Sequence, residues 1–274
     1  MLRFAVAGTP HSTPKPGGTV EGLKRARALG IAAMEMEWVQ QVPKNPERIA
    51  EIRQTAEELD MYLTVHAPYY INLNSSEKAT LVASKRRILD AMEMGQLAGA
   101  HSVCVHPAFY MGTDPARAFE NVCAATEDIL AQAKKKNLTI NLAYETMGKG
   151  TQFGTLDEVL RLSAMFGIYP CVDPAHMHAR SNGEWNTAKE WNTMLDLYEE
   201  HLGKSALKTM HMHYSGIEYT AKGERRHLPL AESDARWRDF LTVLKQRKVG
   251  GVVVCESPLL EDDTLVLQRT FEKL

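Results

Sequence analysis

The stretch TINLAYETMGKGTQFGTLDEVLRLSAMFGIYPCVD, residues 139–173, decides how the chain folds. It opens on an apolar, strand-like run at 139–145 that ends in Glu145. A helical pattern follows at 155–167. A second apolar run, 168–173, then ends in Asp173. The same alternation extends in both directions. Strand-like runs stand at 3–8, 32–38, 62–67, 102–106, 139–145, 168–173, 207–213 and 250–256. They start roughly 30 residues or a little more apart, the length of one βα unit. Helix signals fill the gaps. Thr19 is expected to cap a helix that stops at Gly30, and Asn45 to cap the next, with Pro46 in its first position. A further helix begins at Asp114-Pro115 and closes on lysines 134–136, as the helix dipole favours. Eight such alternations predict an α/β fold, a (β/α)8 TIM barrel, as one domain over 1–274. The first loop, AGTPHSTPKPGG (7–18), lacks the G-x-G-x-x-G order of a dinucleotide-binding sheet.

Composition narrows the partners. The chain has 274 residues, 44% hydrophobic and 24% charged, with a net charge of −2. No global basic field marks it for nucleic acid, so a polyanion would need a local patch. Of four cysteines, Cys104, Cys171 and Cys255 lie inside strand-like runs and read as buried free thiols. The opening residues have too short an apolar stretch, and too early a proline at Pro10, for a signal peptide. No run reaches membrane-spanning length. These features lead us to expect a soluble, reduced, cytoplasmic protein with no membrane partner, and a monomer.

A barrel of this kind carries its chemistry at the C-terminal ends of its strands. There stand His66, His106, Glu145, Asp173 with His176 in the loop beyond, the pair His211 and His213, and Glu256. Imidazoles and carboxylates converging on one mouth would desolvate and repel unless something positive lay between them. A divalent metal answers that need, with zinc the best match and manganese or iron possible. Two carboxylates among several histidines also allow a bridging ligand, hence more than one metal. His211 and His213 share a strand face, so both could point inward, whereas Cys255 is opposite in pleat to Glu256. His101 begins a strand and His201 closes a helix, both structural positions. The lysine and arginine runs at 85–87 and 134–136 read as solvated helix faces.

Seven segments occur in an order that resembles a known family: VHAPYYINLNS (65–75), VHP (105–107), AYETMGKG (143–150), VDPAH (172–176), MHMH (210–213), RHLPLAES (226–233) and CESP (255–258). Together they resemble endonuclease IV, the metal-dependent apurinic/apyrimidinic endonucleases of the xylose-isomerase-like barrel superfamily, over nearly the whole chain. The resemblance implies that His66, His106 and Glu145 hold a first zinc. Glu145, Asp173, His211 and Glu256 would hold a second, and His176 and His227 a third. One departure stands out. Where the family has an Asp two residues before the loop histidine, this chain has Arg225, with Glu224 beside it. A one-residue shift of the loop would bring Glu224 in as the ligand; otherwise the third metal is weak or absent.

The implied activity is hydrolysis of the phosphodiester 5′ to an abasic site in double-stranded DNA, a DNA-repair reaction. It would use two or three Zn2+ ions (Mn2+ in their place is possible), a zinc-held hydroxide as nucleophile, and Glu145 and Glu256 as catalytic carboxylates. Tyr69 and Tyr70 match the loop that enters the DNA stack, and Lys149, Arg180, Arg225 and Arg226 stand where phosphates would be met. His178 matches no ligand position. An alternative is a sugar isomerase or epimerase, which needs only Glu145, Asp173, His211 and Glu256 around one metal, with Glu35 or Glu37 near the mouth. The additional His66, His106, His176 and His227 favour the nuclease. A metal-binding barrel without activity is the third reading.

Overall fold

The apolar runs become the staves of a closed parallel barrel in a computed structural model that describes residues 1–274. In chain order the strands are β1 (Leu2–Ala7), β2 (Ala33–Glu37), β3 (Tyr62–His66), β4 (Ser102–Val105), β5 (Ala108–Phe109), β6 (Asn141–Glu145), β7 (Gln152–Phe153), β8 (Tyr169–Val172), β9 (Met210–Tyr214), β10 (Gly216–Thr220), β11 (Gly223–Leu228) and β12 (Gly251–Cys255). The barrel runs β1-β2-β3-β4-β6-β8-β9 and closes through β12 onto β1. The fold is therefore the α/β TIM barrel that the alternation predicts. Two small antiparallel additions, β5 with β7 and the hairpin β10–β11, rise from the loops after the barrel strands. No periodic apolar pattern announced them.

Nine helices surround the barrel: α1 (Thr19–Ala28), α2 (Pro46–Glu58), α3 (Lys78–Leu97), α4 (Pro115–Lys135), α5 (Leu156–Phe166), α6 (Pro174–Arg180), α7 (Ala188–Leu202), α8 (Trp237–Gln246) and α9 (Glu261–Lys273). Local chemistry explains most of their starts. Asn45 and Asp114 accept from the backbone N–H groups that open α2 and α4, each followed by proline. Thr155 with Glu158, and Thr187 with Glu190, close reciprocal capping boxes on α5 and α7. Thr19 is not a cap: it is the first residue of α1, behind Gly18, and no side chain caps that helix. His176 is not in a loop either. Asp173 caps α6 by accepting from the His176 N–H at 2.9 Å, so His176 sits in a helical first turn. No helix is long and apolar enough to cross a membrane.

Period two divides each strand. Outward residues such as Val65, Val103, Met212 and Val253 pack into the layer under the helices, where Cys255 also lies. Inward residues at the bottom and flank of the barrel are small: Ala5, Ala33, Val252 and Val254 form one patch, and Cys104, Ala143 and Cys171 another. Barrel interiors are usually filled by branched apolar layers. Here the middle and upper layers hold Glu35, Thr64, His66, Ser102, Glu145, His211 and His213, all buried. The four cysteines are free, and Cys104, Cys171 and Cys255 are buried.

Candidate metal centre

Three groups of side chains converge at the barrel mouth. In the first, His66 ends β3, His106 follows β4 and Glu145 ends β6. The Nε2 atoms of His66 and His106 face each other at 3.3 Å. Glu145 Oε2 lies 2.9 Å from the second and 3.5 Å from the first. In the second, Glu145, Asp173, His213 and Glu256 bring their ligand atoms within 4.8 Å of one another. His213 Nδ1 lies 3.4 Å from both Glu145 Oε1 and Glu256 Oε1. In the third, His176 Nε2 faces His227 Nε2 at 3.4 Å and Glu224 Oε2 at 3.7 Å. Glu145 joins the first two groups, one oxygen toward each.

The donor set fits divalent cations. Two imidazole nitrogens turned toward one another beside a carboxylate oxygen suit a shared ion better than a shared proton. Glu145 Oε1, Asp173 Oδ2, Glu256 Oε2 and His213 Nδ1 are buried without an aligned hydrogen bond, and unsatisfied polar atoms at such depth are costly. The histidine rings are already oriented. His66, His176 and His227 place Nδ1 against the carbonyls of Ala67 (2.7 Å), Thr146 (3.0 Å) and Glu256 (3.1 Å), which leaves Nε2 facing the centre.

The protonation pattern has the same origin. Burial alone would push the Glu145 carboxyl up, but the imidazoles of His106 and His213 outweigh it and hold that carboxyl well below the usual range. Burial also opposes ionisation of Glu256, yet His213 beside it brings it down to about 2. Asp173 is pushed up to about 6, chiefly by burial. His66 resists the downward push of burial through its contact with Glu145, and through Glu37, and rises to about 10. Glu37, at the end of β2, is driven to about 8 by burial, and its Oε1 has no partner. His66 therefore favours its protonated form, and a cation held by its Nε2 would have to displace that proton.

His211 does not join the second group. It lies two residues deeper on β9, about 6–7 Å by strand rise, with Nε2 2.9 Å from Glu35 Oε2 and Nδ1 3.0 Å from Ser102 Oγ. His213, one pleat repeat nearer the strand's end, takes its place.

The third group depends on an irregularity in the hairpin. Glu218 pairs with Arg226, but Tyr219 pairs with Glu224, so Arg225 is the extra residue of a bulge. Faces alternate along a strand, and one inserted residue flips the face. Glu224, three residues before His227, therefore shares its side, and the shift that the Arg225 departure required is present. The hairpin docks tightly to do this. A Cβ on Gly148 would come within 2.7 Å of Glu224 Cβ, and Gly223, at φ +90°, packs directly on the backbone of Gly148.

The residues expected to meet DNA diverge. Tyr69 is half-exposed, its ring stacked at 5.3 Å on His106 and edge-on to His66. Tyr70 is more exposed and donates to Gln40 Oε1 at 3.1 Å. Arg87, read as a solvated face, reaches the Tyr70 carbonyl at 2.9 Å. Lys149, partly buried, bridges to Gly223 of the hairpin through its backbone. Arg180 does not fit its expected role: Nη1 donates to the carbonyls of Met147, Lys149 and Gln152, so it clamps the loop after β6. Arg225 and Arg226 both pair with Glu218, at 2.6 Å each, on the exposed side of the hairpin. His178 is structural, between the Trp185 carbonyl and Asp234.

Comparison with known proteins identifies the family of the barrel. The family model described as xylose isomerase-like TIM barrel matches residues 23–272. The chain belongs to that family. Within the xylose isomerase-like TIM barrels it is 38% identical to the uncharacterized protein MJ0133 of Methanocaldococcus jannaschii, over 100% of this chain and 98% of that protein. A probable endonuclease 4 of Oceanobacillus iheyensis is 25% identical, over 60% of this chain and 55% of its own length. Among solved structures, endonuclease IV from Thermus thermophilus superposes with a TM-score of 0.72 at 20% identity, covering 99% of this chain and 98% of the other. A D-tagatose 3-epimerase-like protein superposes at 0.73 and 16% identity, covering 99% and 96%. Likeness at such identities speaks for the shared barrel alone.

Proposed function

We propose that this protein is a metal-dependent phosphodiesterase that cleaves DNA on the 5′ side of abasic sites. One observation carries the reading. Two further imidazole groups, His66 with His106 and His176 with His227 and Glu224, flank the set Glu145, Asp173, His213 and Glu256. A single-metal site has no use for them. Resemblance to probable endonuclease 4 sequences supports the same direction. The mixed imidazole–carboxylate donors suit Zn2+, with Mn2+ as a substitute. Divalent ions held by these residues would supply an activated water and neutralise charge on the attacking and leaving oxygens.

The chain's own groups do the rest. Glu145 holds the first two sites in fixed relation through its two oxygens. Glu256 completes the second and uses its carbonyl to aim the His227 ring. Tyr69 covers the His66–His106 pair with a half-exposed ring, a surface against which an unstacked nucleotide can lie. Lys149, in the loop after β6 that meets the hairpin, is the cation we assign to the substrate's phosphates.

The decisive experiment is incision of a duplex carrying one abasic analogue, by protein as isolated, after chelation, and after reloading with Zn2+ or Mn2+. We expect cutting 5′ to the analogue, loss on stripping and recovery on reloading. A fully loaded protein that leaves the duplex intact overturns the proposal. The second reading, a sugar epimerase, rests on the compactness of Glu145, Asp173, His213 and Glu256 as a self-sufficient set; epimerisation of free ketoses with one ion per chain would establish it instead.

The hairpin supplies an independent check. Glu224→Ala is expected to lower the bound-ion count by one and weaken that site beyond the about 10–100-fold typical of losing an outer-shell partner. Arg225→Ala, at the bulge, is expected to leave the count unchanged. Equal counts in both variants, measured by elemental analysis after dialysis, would remove Glu224 from the centre.

A further inference from the structure

Beneath the mouth lies a buried polar layer that the ligand groups do not account for. Glu35, on β2, is fully enclosed. Its Oε2 accepts from Thr64 Oγ1 at 2.6 Å and from His211 Nε2 at 2.9 Å. Ser102 Oγ lies 3.0 Å from the other nitrogen of His211. The Oε1 atom of Glu35 sits 2.8 Å from His213 Nε2. That contact is not aligned as a hydrogen bond, and Glu35 Oε1, His213 Nε2 and His213 Nδ1 have no aligned partner elsewhere. His66, His176 and His227 rest Nδ1 against backbone carbonyls, whereas His213 has a carboxylate behind its Nε2. It turns Nδ1, not Nε2, toward the carboxylates of Glu145 and Glu256, while His176 reaches Glu145 through Nδ1 but faces His227 and Glu224 through Nε2.

Building on the metal centre proposed above, we infer that Glu35 is its positioning residue, holding the proton of His213 on Nε2 so that Nδ1 is the ligating atom. An ionised carboxylate only accepts, so a nitrogen held against it carries the hydrogen, and the opposite nitrogen keeps its lone pair. Thr64 and His211 anchor Glu35 from the other side, which fixes where Oε1 can stand. A carboxylate behind a ligating imidazole also raises the basicity of the ligand. The same three groups, Glu35, His211 and His213, lie close enough to suit a cation. The Thr64 and His211 donors account for Oε2, and the inference assigns Oε1 to the N–H of His213 Nε2 instead of to an ion.

The test uses the full chain loaded with Zn2+, and Co2+ where a visible spectrum is wanted. Long-range 1H–15N spectra of the Zn2+-loaded wild type should show His213 protonated on Nε2 and coordinated through Nδ1. Glu35→Gln keeps the volume but presents an amide N–H to one of the imidazoles. It should weaken the ion held by Glu145, Asp173, His213 and Glu256 about 10–100-fold, with altered Co2+ bands, and leave the His176–Glu224–His227 ion in place. Coordination of His213 through Nε2, or equal affinity in wild type and variant, overturns the inference while leaving the metal centre standing. A wild type that binds no ion overturns both. Because the tautomer is read on the wild type, the result does not depend on the variant folding.

Discussion

Glu145→Gln is expected to abolish incision of abasic duplex, with a loss of at least about a thousandfold, and to release ions from the first two groups together. No other side chain serves both. Oε2 faces His106 at 2.9 Å and His66 at 3.5 Å, while Oε1 faces His176 Nδ1 at 3.0 Å and His213 Nδ1 at 3.4 Å. Glutamine keeps the shape but removes the charge and points an amide donor at one of these nitrogens. Lewis-acid stabilisation contributes several kcal/mol, and about 4 kcal/mol is a thousandfold in rate. A second readout needs no substrate. His66 is raised to about 10 largely by its contact with Glu145, so in the metal-free variant its pKa should fall. Ion counts by elemental analysis, single-turnover incision and an NMR titration of His66 give three measurements. A variant that keeps two ions and near-normal incision would remove Glu145 as the bridge.

The second large effect separates two histidines that stand two residues apart. His213→Ala is expected to lose an ion and reduce incision by about a hundredfold or more, since it strips a ligand from a site that must also stabilise the reaction. His211→Ala is expected to keep the ion count and instead lower stability by about 3 kcal/mol. It takes one partner each from the buried Glu35 and Ser102, and breaking a buried pair on one side is costly. Ion counts and thermal melts on both variants distinguish the outcomes. If His211→Ala lost the ion and His213→Ala kept it, the assignment made from the structure would be reversed.

The ease with which those two residues are confused shows where sequence reading stops. Period two places His211 and His213 on the same face, and it does so correctly. It carries no information about depth, because that depends on how β9 is staggered against β8 and β12 in the closed barrel. The rule that chemistry sits at strand ends points to His213; the family pattern pointed to its neighbour. Arg180 is a similar case. A cation beside a proposed site reads as a phosphate ligand until its hydrogen bonds to three carbonyls are seen. Asp173 and Pro174 hold the N-cap and N1 positions of α6, a local signature that our reading of the sequence passed over in putting His176 in a loop.

What the residues determined alone is what recurs at short range. Strand and helix alternation set the barrel, caps at Asn45, Asp114, Thr155 and Thr187 set helix starts, and strand-end residues set which side chains reach the mouth. Only the tertiary structure decided which atoms meet. The bulge at Arg225 turned Glu224 toward His227, the close approach of Gly148 and Gly223 docked that hairpin, and ring closure brought Glu35 from β2 against His213 from β9, 178 positions later. The physical reason is the same in each case. Periodicity and capping are properties of neighbours along the chain, whereas register, depth and face depend on pairings that exist only once the barrel has closed.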